Sequence, residues 1–180
     1  MSGPAAPPLE IRTERLLLPV WSPGEAADIA AGRRRPEWHA DYPQADDRDA
    51  ATLYVPHSAW SPRHVVRGTT VLGSIGCFGP PAPAADDVPE VEVGFGLVAQ
   101  ARGWGFASEA LAGLVAALDD VGVRVRAAVR PDNRASLRVL ARCGFTGLRG
   151  SDEDGRLVMV RPLPALPVPP VPPVLSAGDS

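Results

Sequence analysis

The chain of 180 residues contains no lysine; all 18 of its basic residues are arginine. That absence excludes two kinds of chemistry. A P-loop needs a lysine on the β- and γ-phosphates, and a Schiff-base mechanism needs a lysine amine. Cysteine is scarce: only Cys77 and Cys143 occur, too far apart for a redox or metal spacing, which suits a reducing compartment. The three histidines, His39, His57 and His64, show no zinc-ligand spacing, so no metal is expected. No apolar run reaches transmembrane length, and the N-terminus lacks the charged and apolar regions of a signal peptide. A cytoplasmic protein with no membrane partner is expected. The net charge of -3 argues against nucleic acid as a partner.

What is present suits one globular domain, with 45% hydrophobic and 22% charged residues. The expected organisation is a loose N-terminus over 1–10, a domain over 11–163, and a proline-rich, disordered tail over 164–180. Within the domain, "RLLLPV" (15–20) reads as a strand. "SPGEAADIAAG" (22–32) reads as a helix, with Ser22 as cap and Pro23 in its first turn. A second helix is expected over 49–60 and a hairpin over 64–78. The prolines of 79–89 mark a loop. The alternating "EVEVGFGLV" (90–98) reads as a strand. Leu111, Leu114, Val115 and Leu118 form a helical stripe within 106–120. A strand over 123–129, a helix over 133–143 and two pairing strands over 145–148 and 157–160 complete the domain.

The segment "QARGWGFASEA" (100–110) places two glycines where a strand hands over to a helix. Glycine there costs about 1 kcal/mol against alanine. A tight turn explains such glycines, and so does an anion. The first N–H groups of a helix have no internal partner, the helix dipole favours negative charge, and glycine lets the main chain approach a phosphate closely. Two dinucleotide patterns compete with the anion reading, and each departs from its fingerprint. "GFGLVA" (94–99) runs into a second turn rather than a helix, and "GWGFAS" has Ser108 where Gly or Ala is required.

These residues carry a resemblance. "QARGWGFASEAL" resembles the acyl-CoA-binding signature of the GNAT superfamily of N-acetyltransferases, Gln/Arg-x-x-Gly-x-Gly/Ala, with Gln100, Gly103 and Gly105 in order. "VRPDNRASLRVLARCGF" (129–145) resembles the second half of that family's cofactor site. The opening "IRTERLLLPVWSPGEAADI" is similar to the branch of ribosomal-protein N-terminal acetyltransferases (RimJ/RimL-like). The resemblance implies an α/β fold, a mixed and mostly antiparallel sheet flanked by helices and splayed between its fourth and fifth strands. It implies acetyl-CoA as co-substrate, with the pyrophosphate on Arg102, Gly103, Trp104, Gly105, Phe106 and Ala107, the pantetheine arm beside Leu97, Val98 and Ala99, and Asn133 at the cofactor. The implied reaction is acetyl transfer to a primary amine, a protein N-terminus or a small molecule, by direct attack in a ternary complex. The other reading is a non-catalytic acyl-CoA-binding or partner-binding module on the same fold. A monomer or homodimer is expected.

The chemistry needs a neutral amine and a donor for the oxyanion. A main-chain N–H near Leu97 or Val98 suits the donor. Glu92 is the candidate base: alternation puts Glu90, Glu92, Gly94 and Gly96 on one strand face, and a carboxylate on a central strand is unusual. Pairing with an arginine is the competing explanation, and Glu90 lies nearer the loop. Many relatives carry a tyrosine seven residues after the Asn as general acid; here that position is Leu140. The RimL-like branch has a serine at the position of Ser136, which places it beside the thiol or leaves it bonding its own helix. Trp38, Asp41 and Tyr42 lie where relatives line the acceptor pocket.

Overall fold

The computed structural model describes residues 5–164. The proposed tail falls almost wholly outside the described residues, as do residues 1–4. Nine strands form one open sheet in the order β1-β2-β3-β4-β6-β7-β9-β8, with the short β5 paired to β6. The strands are β1 (Glu10–Arg12), β2 (Leu17–Pro19), β3 (Arg63–Arg67), β4 (Thr70–Cys77), β5 (Ala82–Pro83), β6 (Pro89–Leu97), β7 (Arg124–Val129), β8 (Gly147–Ser151) and β9 (Leu157–Arg161). Four helices flank them: α1 (Pro23–Ala30), α2 (Ala45–Ala51), α3 (Phe106–Asp119) and α4 (Arg134–Arg142). Of the strand pairs, β6 with β7 is parallel and the rest are antiparallel. A mixed, mostly antiparallel sheet with flanking helices is the expected fold.

Local chemistry explains most boundaries. Ser22 and Glu25 form a reciprocal capping box at the start of α1. Burial pushes the Glu25 carboxyl up, but its bonds with His64 and Ser22 outweigh that and hold it at about 2. Replacing Ser22 with Ala is expected to lower stability by about 1 kcal/mol. Urea denaturation checks this, and an unchanged midpoint contradicts it. Leu111, Leu114 and Leu118 of α3 are buried in the core with Val91, Val93, Val125 and Ile75 of the sheet.

Three expectations are corrected. The second helix spans Ala45–Ala51 rather than 49–60. Gln44 and Asp47 cap it earlier than expected, and Pro56 disfavours helix at Val55. The first strand is β1, which pairs Glu10, Ile11 and Arg12 with β2. The chain around β1 and β2 is too short for a periodic signal. Within the expected loop, Ala82 and Pro83 pair with β6, where the prolines take an edge and a first position.

Candidate active-site cleft

The parallel pairing of β6 with β7 covers only Glu90, Val91 and Glu92 against Arg124, Val125 and Arg126. Beyond Glu92 the two strands separate, although β6 continues to Leu97 and β7 to Val129. The splay therefore opens toward the C-terminal ends of both strands. The helix after each strand, α3 after β6 and α4 after β7, begins at that open side.

The β4–β6 ladder fixes which main-chain groups face the gap. Phe78 N–H donates to Glu92 O at 2.8 Å, and Val98 N–H donates to Leu72 O at 2.9 Å. The even residues of β6 thus bond to β4, and alternation turns the N–H and C=O groups of Val93, Phe95 and Leu97 toward the splay. Val98 N–H is consumed by the sheet, so the oxyanion donor expected near Leu97 or Val98 narrows to the odd residues. Leu97 O accepts from Arg102 Nε at 3.0 Å.

The turn between β6 and α3 is open. Gly103 and Gly105 have φ of 80° and 82°, a left-handed conformation that favours glycine. Among the described residues, the N–H groups of 103–108 have no acceptor within the protein. Trp104 is 68% exposed, and a Cβ on Gly103 would meet nothing within 4 Å. Glu109, in the first turn of α3, holds this corner to the N-terminal segment. It accepts from Thr13 Oγ1 at 2.6 Å, Arg15 N–H at 2.7 Å and Arg15 Nε at 2.6 Å. Arg15 Nη1 reaches Trp104 O at 3.2 Å, and the guanidiniums of Arg15 and Arg67 lie 4.7 and 5.1 Å from the Phe106 ring centre. Six consecutive free donors, a helix N-terminus and flanking arginines could hold a diphosphate.

A cleft of about 1020 Å³ runs into the splay. Its floor is the glycine-rich middle of β4 and β6. A Cβ on Gly76 would stand 2.7 Å from Pro62 Cα, and one on Gly94 would stand 2.9 Å from the Phe78 ring, whereas Gly96 faces open space. One wall is α2 with Asp46, Asp47 and Asp49; the other is the end of β7 with Arg130 and α4 with Asn133, Ser136 and Leu140. Asp154 and Arg156 also line the cleft. Asp47 is only 4% exposed. It accepts from Ser74 Oγ and, at 2.7 Å, from Gln44 N–H. Burial pushes its carboxyl above the usual aspartate range, opposed by those two bonds.

The sequence-derived candidates divide. Ser136 and Asn133 both line the cleft, and Asn133 Oδ1 accepts Ser136 N–H at 3.0 Å, capping α4. Leu97, Val98, Ala99, Arg102, Gly103, Trp104, Gly105, Phe106 and Ala107 form the continuous run from the β6 end into α3. Glu92 is not among the residues lining the cleft; its carboxylate lies 3.1 Å from Arg126. Glu90 is held by Arg124 and Arg149, each at 2.6 Å; the bond from Arg149, and then that from Arg124, lower its pKa against the opposing effect of burial. Trp38 and Tyr42 are core residues packed around His64, so of the three candidate acceptor residues only Asp41 is exposed. Sequence reasoning missed Asp47 and Ser74. Their pairing joins α2 to β4 across 27 positions, and the acidic "ADDRD" run is the one local hint.

A splayed parallel pair, with a bare helix N-terminus beside it, is a geometry that can admit a phosphate-bearing chain molecule as an added strand. A profile described as an acetyltransferase (GNAT) domain matches residues 15–146. The chain belongs to the GNAT acetyltransferase family, which uses acetyl-CoA as co-substrate. Comparison with curated proteins gives no match. Solved structures agree in fold. An acetyltransferase from Agrobacterium tumefaciens matches with TM-score 0.60 and 21% identity, over 89% of this chain and 98% of that one. A ribosomal-protein-S5-alanine acetyltransferase from Vibrio fischeri matches with TM-score 0.59 and 15% identity, over 87% and 97%. Mycobacterium smegmatis RimJ in complex with CoA-disulfide matches with TM-score 0.55 and 18% identity, over 87% and 89%. Among the described residues no helix is long and apolar enough to cross a membrane, and no His, Cys, Asp or Glu group is arranged to hold a metal ion.

Proposed function

We propose that this protein transfers the acetyl group of acetyl-CoA to a primary amine by direct attack within a ternary complex. The observation that carries the reading is the splay between β6 and β7 with six free N–H groups on the adjoining turn. The main-chain edge of β6 at Phe95 and the Leu97 N–H, past the last residue paired with β7, pairs with the amide-bearing pantetheine arm as another strand would. An N–H from Phe95 or Leu97, turned into the gap, stabilises the oxyanion of the tetrahedral intermediate. Ser136, on the first turn of α4, faces the departing sulfur, and Asn133 holds that turn.

The acceptor is proposed to be a cationic amine, either a peptide N-terminus or a small molecule. The carboxylates of α2 favour positive charge at the mouth of the cleft. Likeness to the RimJ/RimL-like branch supports the N-terminal α-amine. Thiol release from acetyl-CoA, measured with peptides, polyamines and aminoglycosides, tests the proposal. The expected result is amine-dependent release with the acetylated product found by mass spectrometry. Measured CoA binding with no release for any acceptor would favour the non-catalytic binding module instead.

A further inference from the structure

Asp47 is a buried carboxylate with no cation beside it. As the third residue of α2 it bonds the Gln44 N–H, as a capping residue does. A cap alone does not require burial, nor a second oxygen turned away from the helix to take the Ser74 hydroxyl on β4. Among the described residues no arginine or histidine lies within 4.0 Å of it, although arginines neutralise Glu90, Glu92, Glu109 and Asp119. A buried anion left uncompensated is destabilising unless something else supplies the charge. Its outlook is the cleft. Ser74 pairs with Gly96 in the sheet, and Gly96 has open space where a side chain would stand. The neighbours of Gly96 on β6, Phe95 and Leu97, turn their main-chain N–H groups toward the splay.

We propose that Asp47 receives the acceptor's ammonium and takes its proton, with Ser74 fixing the carboxylate. This rests on the transferase reading above. An N–H bond of the ammonium breaks and its proton passes to Asp47. The freed electron pair forms the C–N bond to the thioester carbonyl. The C–S bond breaks and its pair leaves on sulfur. A second proton from nitrogen then neutralises the thiolate, and the proton on Asp47 escapes to water through the open cleft. The charged and titratable groups around Asp47 are Asp46 on its own helix, Tyr42 and His64 from the packed core, and Asp49, Asp154, Arg130 and Arg156 around the cleft.

The test compares wild-type protein with Asp47→Asn, Ser74→Ala and Glu92→Gln. Butylamine and a trialanine peptide serve as acceptors, and kcat/KM is followed across pH beside acetyl-CoA affinity. Asp47→Asn is expected to lose at least about a hundredfold in kcat/KM at unchanged acetyl-CoA affinity. In the wild type, activity falls with decreasing pH as Asp47 protonates, above the ordinary carboxylate range. Ser74→Ala removes a bond that lowers the Asp47 pKa, so its acid limb moves to higher pH. That shift is readable even if Asp47→Asn fails to fold. Wild-type kcat/KM in Asp47→Asn overturns the proposal, as does an unmoved acid limb in Ser74→Ala or a loss confined to Glu92→Gln. A wild-type protein that binds acetyl-CoA but acetylates no amine overturns the transferase reading itself, and this proposal with it.

Discussion

Gly105→Glu is expected to weaken acetyl-CoA binding by at least a hundredfold, about 2.7 kcal/mol. Two effects combine at this position. Gly105 holds φ at 82°, and a side chain there strains the backbone by about 1–2 kcal/mol. The new carboxylate also stands among the N–H groups that would hold the diphosphate, reversing the local charge. Gly105→Ala separates the two, because it adds the strain without the charge. A Cβ there meets Arg15 Nη2 at 3.5 Å, an ordinary contact, so no clash confuses the comparison. Isothermal titration with acetyl-CoA is expected to give a small loss for the alanine variant and a near-complete loss for the glutamate variant. Equal affinities in all three proteins would reject the turn as the phosphate site.

Arg63→Ala is expected to cause the largest loss of stability. Arg63 is 0% exposed and has no carboxylate partner among the described residues. Its guanidinium instead donates to three main-chain carbonyls: Ala59 O at 2.8 Å, Leu9 O at 3.2 Å and Leu18 O at 3.3 Å. These belong to the loop before β3, the chain entering β1, and β2. One side chain therefore ties the first edge of the sheet to the segment leading into β3. Burial pulls its pKa down to about 10, so it stays charged at neutral pH. Truncation removes a donor from all three carbonyls, although Leu9 O still accepts the Val20 N–H, and opens a cavity, about 3–5 kcal/mol together. For a chain of this length that lowers Tm by roughly 6–20 °C. Arg63→Met refills the space without restoring the donors and is expected to recover only part of the loss. A Tm for Arg63→Ala within about 2 °C of wild type would show that the carbonyls find other partners.

The part of the fold proposed to hold the co-substrate is written locally, and so it is legible in the sequence. Alternation marks β6, the glycines mark the turn, the apolar stripe marks α3, and Asn133 and Gly144 bracket α4. Each signal lies within a few residues of the feature it specifies. The acceptor side is different. Alternation correctly groups Glu92 with Gly94 and Gly96, but its partner Arg126 arrives through the parallel register of β6 with β7. Asp47 and Ser74 meet only because α2 settles on β4. Trp38 and Tyr42 resemble binding residues because aromatic side chains serve cores and pockets alike. Their burial around His64 follows from where the chain between α1 and α2 lies on the sheet. Arg63 shows the same limit, since nothing in "SPRHVV" says that an arginine will be buried among carbonyls from two other segments.

The central claim, that the main chain after β6 grips the diphosphate of acetyl-CoA, is tested most directly by following backbone amide resonances. Acetyl-CoA is titrated into the protein beside acetyl-pantetheine, which carries the thioester and the arm but no diphosphate. The account predicts that the amides of 103–108 shift strongly with acetyl-CoA and hardly move with acetyl-pantetheine, while Phe95 and Leu97 respond to both. Acetyl-CoA that binds without moving the amides of 103–108 would contradict it.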